Sequence, residues 1–321
     1  MPSAPSAHEP LVSIITPVRH LSDPGLARLR ASLQRQSFRA WEHLTPTQGT
    51  SEEARTQGIL QAQGTLCCFL DADNELPDAR WLEVMVAYAR DPRVDGAYPA
   101  RYYYTRHDAA LSRYFALLGA NDPLAWWLGK ADRTGVLDVD PVWSTLQRFT
   151  RNLPTLGANG FCIKTRLLRS LRLDPATGFH IDLIEDLRRQ NGAVTFWVVA
   201  EQPVWHRTGS SFRDYLRRRW TYARTLYFQV RPTRRWHLVA GLGDLLRVAG
   251  FAVCSTLVLP QLWHAGRGYR RVRDPAWALH APVCLALSCV YTAAVAEWLL
   301  RRAWSCVRGI VQTAWHAVWR H

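Results

Sequence analysis

Lysine is almost absent from this chain: only Lys130 and Lys164 are lysines, and the rest of its 40 basic residues are arginine. Paired metal-binding cysteines are absent too, because none of the seven cysteines forms a Cys-x-x-Cys motif and their number is odd. This pattern argues against a zinc site or a disulfide framework and predicts buried, reduced thiols in a cytosolic setting. A hydrophobic content of 48% excludes a wholly disordered chain.

The N-terminus has no apolar segment, and the last third of the chain has few acidic residues. Residues 1–10 are rich in Pro, Ala and Ser, so we expect a disordered N-terminus, no signal peptide and a catalytic part in the cytoplasm. Residues 1–200 carry 22 Lys and Arg against 21 Asp and Glu, whereas 201–321 carry 18 against 5. The net charge of +14 therefore resides almost entirely in the last third, which predicts contact with anionic lipid or nucleic acid.

Short apolar runs alternate with helical periodicity along residues 11–206. The runs that predict buried strands are 11–16, 65–70 and 193–200, and the segments that predict helices include 53–63, 79–90, 165–172 and 179–191. This alternation predicts an α/β domain over 11–206 with a mostly parallel sheet. The aromatic-rich stretch 98–155 has no clear period and yields no assignment.

An acidic cluster, Asp71-Ala72-Asp73, directly follows the apolar run 65–70. Open α/β sheets bind ligands at the carboxyl ends of their strands. Two carboxylates one residue apart can both approach one hard divalent cation, and such a cation suits a diphosphate substrate because it screens the phosphate charge. The cluster therefore predicts a site for a metal and a diphosphate.

The same segments resemble family 2 glycosyltransferases. Leu11 to Pro17 resembles the family's opening strand, residues 31–38 its next helix, and Phe69 to Asn74 its acidic motif. The turn 157–160 resembles the acceptor-side turn, and 181–192 the helix that bears the catalytic acid. The resemblance implies a GT-A fold, a nucleotide-diphospho-sugar donor, a divalent metal (Mn2+ or Mg2+) and inversion at the anomeric carbon.

The resemblance also implies roles for particular residues. Asp73 is the expected main metal ligand, Asp71 faces the ribose or the metal, and His206 faces the metal or the diphosphate. Asp182 is the expected general base, with Glu185 and Asp186 one turn further on as alternatives. The other residues expected at the donor are Pro17, Val18, Arg19, Gln48, Arg55, Asn159, Arg218, Arg219 and Trp220.

Two departures from family patterns limit what the resemblance implies. Family members carry an acid near the position of Gln48 that contacts the nucleotide base, and this chain has none there, so the base stays open. Arg218, Arg219 and Trp220 resemble part of a Gln-x-x-Arg-Trp element of membrane glycan synthases, but Leu216 occupies the Gln position. That change argues against a processive polymerase.

The region 207–321 combines arginine with apolar stretches. Nine arginines lie within 207–235, and the apolar stretches 248–263 and 276–296 are separated by a linker with four more. The first stretch is shorter than the roughly 20 residues that cross a bilayer, whereas the second is long enough. Arginine at every flank favours in-plane or re-entrant helices on the cytoplasmic face of the cell membrane.

The membrane prediction makes a lipid-linked acceptor the leading hypothesis, either a polyprenyl phosphate or a glycan built on one. Three alternatives stay open: a basic nucleic-acid-binding protein, a non-catalytic sugar- or lipid-binding relative, and a transferase that acts on a soluble acceptor. The first explains the apolar stretches poorly, and no RNA-binding motif is present, so we expect no nucleic-acid partner.

Overall fold

The architecture is taken from a computed structural model that describes residues 10–138, 143–174, 179–207, 211–229 and 233–318. The predicted disordered N-terminus, apart from Pro10, lies outside the described residues. The described strands are β1 (Val12–Ile15), β2 (Trp41–Leu44), β3 (Leu66–Phe69), β4 (Asn74–Glu75), β5 (Gly96–Pro99), β6 (Tyr102–Tyr103), β7 (Thr145–Phe149), β8 (Phe161–Lys164), β9 (Val194–Val199) and β10 (Val204–His206).

Seven of these strands form one sheet in the order β2-β1-β3-β8-β5-β9-β7. The pairs β1–β2, β1–β3 and β5–β9 are parallel, whereas β8 and β7 run antiparallel to their neighbours. Five of the seven strands therefore point the same way, which confirms the predicted mostly parallel α/β sheet. Every residue of β1 and β3 is buried, because helices cover both faces of the sheet at its centre.

The helices that cover the sheet match the predicted periodic segments within a few residues. The described α-helices are α1 (Pro24–Gln34), α2 (Ser51–Gln61), α3 (Trp81–Ala89), α4 (Ala110–Leu118), α5 (Pro123–Trp127), α6 (Thr165–Arg169), α7 (His180–Asn191), α8 (Phe212–Tyr222), α9 (Leu242–Leu257), α10 (Leu259–Arg271) and α11 (His280–Val318). A π-helical turn, Ala223–Gln229, continues α8, and a 3-10 turn, Pro275–Leu279, precedes α11. Helix α2 begins two residues before its predicted start because Thr50 and Glu53 form a capping box.

A second, three-stranded sheet in the order β4-β10-β6 lies beside the carboxyl edge of the large one. β10 pairs antiparallel with β4, which sets His206 opposite Asn74. The backbone N–H of Arg207 also donates to the carbonyl of Asp73 at 2.9 Å. This small sheet joins two segments about 130 residues apart in sequence, and it positions the predicted site.

The stretch 98–155, without a sequence assignment, contains helices α4 and α5. The aromatic residues of α4, Tyr114 and Phe115, are buried in a cluster with Trp277 of the 3-10 turn and Leu287 of α11. These aromatic side chains therefore form a core between the sheet domain and the C-terminal helices. Because that core depends on contacts distant in sequence, local periodicity does not reveal it.

The C-terminal region is helical, as predicted. A bend of 86° separates α9 from α10 at Val258, whose φ of +63° is strained for a β-branched residue. The predicted apolar stretch 248–263 is thus divided between two helices. Residues Pro275–Ser305 are long and apolar enough to cross a membrane, and their most apolar window is 28% buried within the protein. The stretch 276–296 belongs to this segment.

Candidate active site

The carboxyl ends of β1 and β3 open onto a cavity of about 1250 Å³. Pro17, Val18 and Arg19 follow β1 at this edge, and the acidic cluster follows β3. The backbone N–H of Asp71 donates to Oδ1 of Asn74 at 3.0 Å, which holds the cluster in a tight turn. The structure therefore brings the predicted loop and the predicted carboxylates to the wall of one cavity.

Asp73 and His206 form the most distinctive pair in this cavity. Nε2 of His206 lies 3.1 Å from Oδ2 of Asp73, and the Asp73 side chain is 38% exposed. Burial alone would raise the pKa of Asp73, but the charge of His206 and its hydrogen bond lower this pKa below its usual value. Burial would lower the pKa of His206, whereas the charge of Asp73, its hydrogen bond and the charge of Asp71 raise it. The pair therefore combines a carboxylate and an imidazole that stabilise each other's charge.

Asn121 supports the imidazole of His206 from the other side. Its amide nitrogen lies 3.1 Å from Nδ1 of His206, and its Oδ1 is buried without a hydrogen-bond partner among the described residues. The sequence offered no signal for this contact, since Asn121 lies in the stretch without periodicity.

Asp71 pairs with Arg55, whose side chain is only 4% exposed. The guanidinium NH2 lies 3.2 Å from Oδ1 of Asp71, and both residues line the cavity. Nε and NH1 of Arg55 are buried and have no hydrogen-bond partner within the described ranges. Arg55 is therefore a buried cation at the cavity wall whose guanidinium keeps unsatisfied N–H donors among the described residues.

Asn159 lies at the same edge in a left-handed conformation with φ of +54°. Its Oδ1 accepts from Nδ2 of Asn74 at 3.0 Å, and its Nδ2 donates to the hydroxyl of Tyr102 at 3.1 Å. The neighbouring Gly160 has φ of +87°, and a Cβ there would lie 2.9 Å from the Trp81 ring. This turn thus couples the acidic cluster to the small sheet.

Asp182 occupies a different environment from the one predicted for a base. It is fully buried, and its carboxylate accepts from Nε of Arg234 at 2.5 Å and from the backbone N–H groups of Arg235 and Trp236 at 3.2 and 2.8 Å. The cavity wall at this helix is formed by Phe179, His180 and Ile181 instead.

The carboxylates of Glu185 and Asp186, the alternative candidates for the base, also form ion pairs with arginine. Glu185 accepts from Arg188 and Arg189 at 2.7 Å, and Asp186 lies 2.9 Å from Arg235. All three acidic side chains at the start of α7 are therefore paired with arginine.

The predicted arginine cluster on α8 reaches the cavity only in part. Arg218 and Arg219 line the cavity, whereas Trp220 is not among its lining residues and lies 5.7 Å from the Arg224 guanidinium. Arg219 is held by the carbonyl of Asn121 at 2.7 Å and by Asp122 at 3.4 Å.

Gln48 is likewise exposed and outside the lining, although its neighbours Thr47 and Gly49 belong to it. Several lining residues were not predicted: His20, Asp23, Glu52, Glu53, Asp122, Asp132, His180 and Arg234.

Residues 43–162 match the family model described as Glycosyl transferase family 2. The predicted resemblance to family 2 glycosyltransferases is confirmed. The match contains Arg55, the acidic cluster and Asn159, whereas Asp182, His206 and the α8 arginines lie beyond it. No curated protein matches the chain.

Two solved structures illustrate more distant similarity to the described fold. The mannosyltransferase PcManGT from Pyrobaculum calidifontis, in complex with GDP-Man and Mn2+, is 14% identical with a TM-score of 0.48, over 93% of this chain and 90% of that one. S. aureus TarS 1-349, in complex with UDP, is 11% identical with a TM-score of 0.42, over 90% and 91%. Similarity this low assigns neither a substrate nor a residue role.

Proposed function

We propose that this protein is an inverting, metal-dependent glycosyltransferase that moves a sugar from a nucleotide-diphosphate donor to a membrane-linked acceptor. The observation that carries the proposal is the Asp73–His206 pair, which lies beside the Asp71–Arg55 pair at the carboxyl edge of the sheet within one large cavity. The match to a family of glycosyl transferases over the segment that holds the acidic cluster supports it.

The cavity offers suitable partners for the donor. Pro17 to Arg19 form one wall near β1, and Arg55 brings buried N–H groups that lack partners among the described residues. Arg218 and Arg219 also line the cavity, from α8. Arginine binds phosphate through paired N–H donors, so the cavity that these arginines line suits the diphosphate of the donor. The ribose of the donor would then lie toward Asp71.

A divalent metal fits the donor set as an open site. Asp73 offers a partly exposed carboxylate and His206 an imidazole, and the described part of the chain contains no preassembled group of three or more acidic, His or Cys ligands. Phosphate oxygens of the donor would complete the coordination, as is usual for Mg2+ or Mn2+ at nucleotides. A metal held by Asp73, His206 and, in part, Asp71 would stabilise the charge on the departing diphosphate.

Asn121 can hold His206 in the tautomer that binds a metal through Nε2. With its amide rotated by half a turn, the unpartnered Oδ1 would accept a hydrogen bond from Nδ1–H of His206. That tautomer leaves Nε2 unprotonated and able to bind a metal, and a hydrogen bond of this kind orients a ligating histidine.

The membrane-linked acceptor is supported by the surface of the C-terminal helices. The bend between α9 and α10 presents four large, exposed apolar side chains close together in sequence: Leu257, Leu259, Leu262 and Trp263. Arg267, Arg270 and Arg271 follow on the exposed surface of α10. Apolar side chains next to arginine favour insertion into an anionic lipid surface, on the cytoplasmic face of the membrane.

A panel of nucleotide sugars tests the transferase proposal through metal-dependent hydrolysis of the donor. We expect one donor to be hydrolysed with Mn2+ or Mg2+, and Asp73→Asn to lower the rate at least 100-fold, because the variant loses a charged metal ligand. Asp78→Asn, an exposed aspartate, is the matched control. Hydrolysis that is unchanged by chelation and in Asp73→Asn would contradict the proposal.

Flotation with liposomes tests the membrane part separately. We expect the protein to bind vesicles that contain phosphatidylglycerol at low salt, and the double variant Leu259→Glu/Trp263→Glu to bind more weakly. Leu60→Glu replaces an exposed leucine on α2, far from the bend in sequence, and should leave binding unchanged. Equal flotation of all three proteins, or no flotation of the wild type, would refute the assignment of this surface.

A further inference from the structure

His180 is the first residue of α7 and lies against the cavity, next to Phe179. Within the described parts of the chain, neither ring nitrogen of His180 has a hydrogen-bond partner, and Nδ1 is fully buried. A buried polar atom without a partner costs about 1–3 kcal/mol, so natural proteins rarely keep one without a role.

The position of His180 matters because the acidic residues behind it are engaged elsewhere. The carboxylate of Asp182 is enclosed and accepts three hydrogen bonds from the segment 234–236. A general base must reach the proton it removes, within hydrogen-bond distance of the acceptor oxygen. At the N-terminus of α7, the titratable residue that lines the cavity is His180.

The charges around His180 keep the ring neutral. Burial and the positive charges of Arg55 and Arg234 hold the pKa of His180 well below its usual value. A neutral imidazole keeps a lone pair that can accept a proton at physiological pH. A diphosphate bound near Arg55 would offset part of the positive charge and make the ring more basic when the donor is in place.

We propose that His180 is the general base that accepts the proton of the acceptor hydroxyl. The proposal rests on the proposed function and specifies a hydroxyl as the acceptor group on the membrane-linked substrate. The acceptor oxygen forms the new bond to the anomeric carbon, and the bond from that carbon to the diphosphate oxygen breaks. The electron pair leaves with the nucleoside diphosphate, and the proton moves from the acceptor oxygen to Nε2 of His180, the ring nitrogen that is not enclosed.

The experiment uses the full chain and donor hydrolysis, in which water takes the place of the acceptor. UDP-glucose, GDP-mannose and the other donors of the panel are incubated with Mn2+ and wild type, His180→Ala, His180→Gln or His107→Gln. We expect both His180 variants to lose 10²- to 10⁴-fold in rate with an unchanged donor Kd. Free imidazole should restore much of the rate to His180→Ala, since it can enter the space the side chain left, and His107→Gln, at an exposed position, should resemble wild type.

The outcomes separate this proposal from the proposed function. Wild-type rates in His180→Ala overturn it, and so does a loss that imidazole does not restore, which would assign the ring a positioning role. Rescue that depends on the pKa of substituted imidazoles supports proton transfer. If Asp73→Asn abolishes hydrolysis while His180→Ala does not, the transferase proposal holds and this one fails. If the wild type hydrolyses no donor, both fail.

Discussion

The substitution Asp182→Asn distinguishes a structural carboxylate from a catalytic one. Asp182 is fully buried and its partner Arg234 is 7% exposed, so the asparagine would leave an arginine charge buried without a counter-ion. Removing one partner of a buried ion pair costs about 3–5 kcal/mol, because the remaining charge stays desolvated. The backbone N–H groups of Arg235 and Trp236 can still donate to the amide oxygen of the asparagine, so the loss is assigned to the ion pair.

The assay is thermal unfolding in detergent, followed by circular dichroism, together with a urea midpoint. A loss of about 3–5 kcal/mol corresponds to a fall in Tm of roughly 4–8 °C for a chain of this size, because the entropy of unfolding rises with chain length. Asp186→Asn is the matched control on the same helix. Its pair with Arg235 is partly exposed, and such pairs contribute about 0–1 kcal/mol.

Two further measurements sharpen the result. In a double-mutant cycle with Arg234→Gln, the coupling energy should account for most of the loss, since the second substitution removes the unpaired charge. If Asp182→Asn keeps the wild-type Tm but loses donor hydrolysis, the carboxylate is the base. The interpretation of Asp182 as an anchor for the segment 234–236 would then be refuted.

Four other outcomes follow from the described contacts. Burial and the charge of Arg30 lower the pKa of His43 to about 4, so the folded state favours the neutral imidazole. Because the unfolded chain takes up this proton at higher pH, the urea midpoint should fall as the pH drops from 6.5 to about 4. The midpoint of His43→Gln should fall by less over the same range. Asn121→Leu should weaken Mn2+ binding about 10- to 100-fold, measured by Mn2+ titration with the nucleotide present, whereas Asn191→Leu, at the exposed end of α7, should not. Gly160→Ala should lower the free energy of unfolding by about 1–3 kcal/mol, measured by urea denaturation, because its φ of +87° and the Trp81 ring exclude a Cβ. Tyr291→Phe should cost about 1 kcal/mol of stability in the same assay, since its hydroxyl donates to Asp122 at 2.5 Å.

Much of the sheet domain could be predicted from sequence because its signals are local. Apolar four-residue runs at β1 and β3, and a capping box at α2, are readable without any tertiary contact. The acidic cluster follows β3 directly, so its place at the sheet edge follows from the strand alone. Family resemblance added His206, which lies beside Asp73 through a strand pairing that no local pattern reveals.

The remainder of the site depends on contacts between segments far apart in sequence. Periodicity placed Asp182 on a helix, but which side of α7 faces the cavity is decided by Arg234, 52 residues further on. The carboxylate turns toward that arginine, and His180 is left at the cavity. The sequence does not mark His180, because the unsatisfied hydrogen-bonding capacity of its ring can be seen only in the folded structure.

The boundary predicted at residue 206 separates two compositions, but the cavity is built from both sides of it. Arg218, Arg219 and Trp236 line the cavity from the C-terminal region, and Tyr291 of α11 bonds Asp122 in the same wall. Deleting residues 236–321 would therefore remove part of the active-site wall together with any membrane contact. Loss of activity in that truncation would not identify the acceptor. Substitutions confined to the exposed bend, Leu259 and Trp263, leave the wall intact, so activity retained on a soluble acceptor but lost on a vesicle-bound one would demonstrate a membrane-linked substrate.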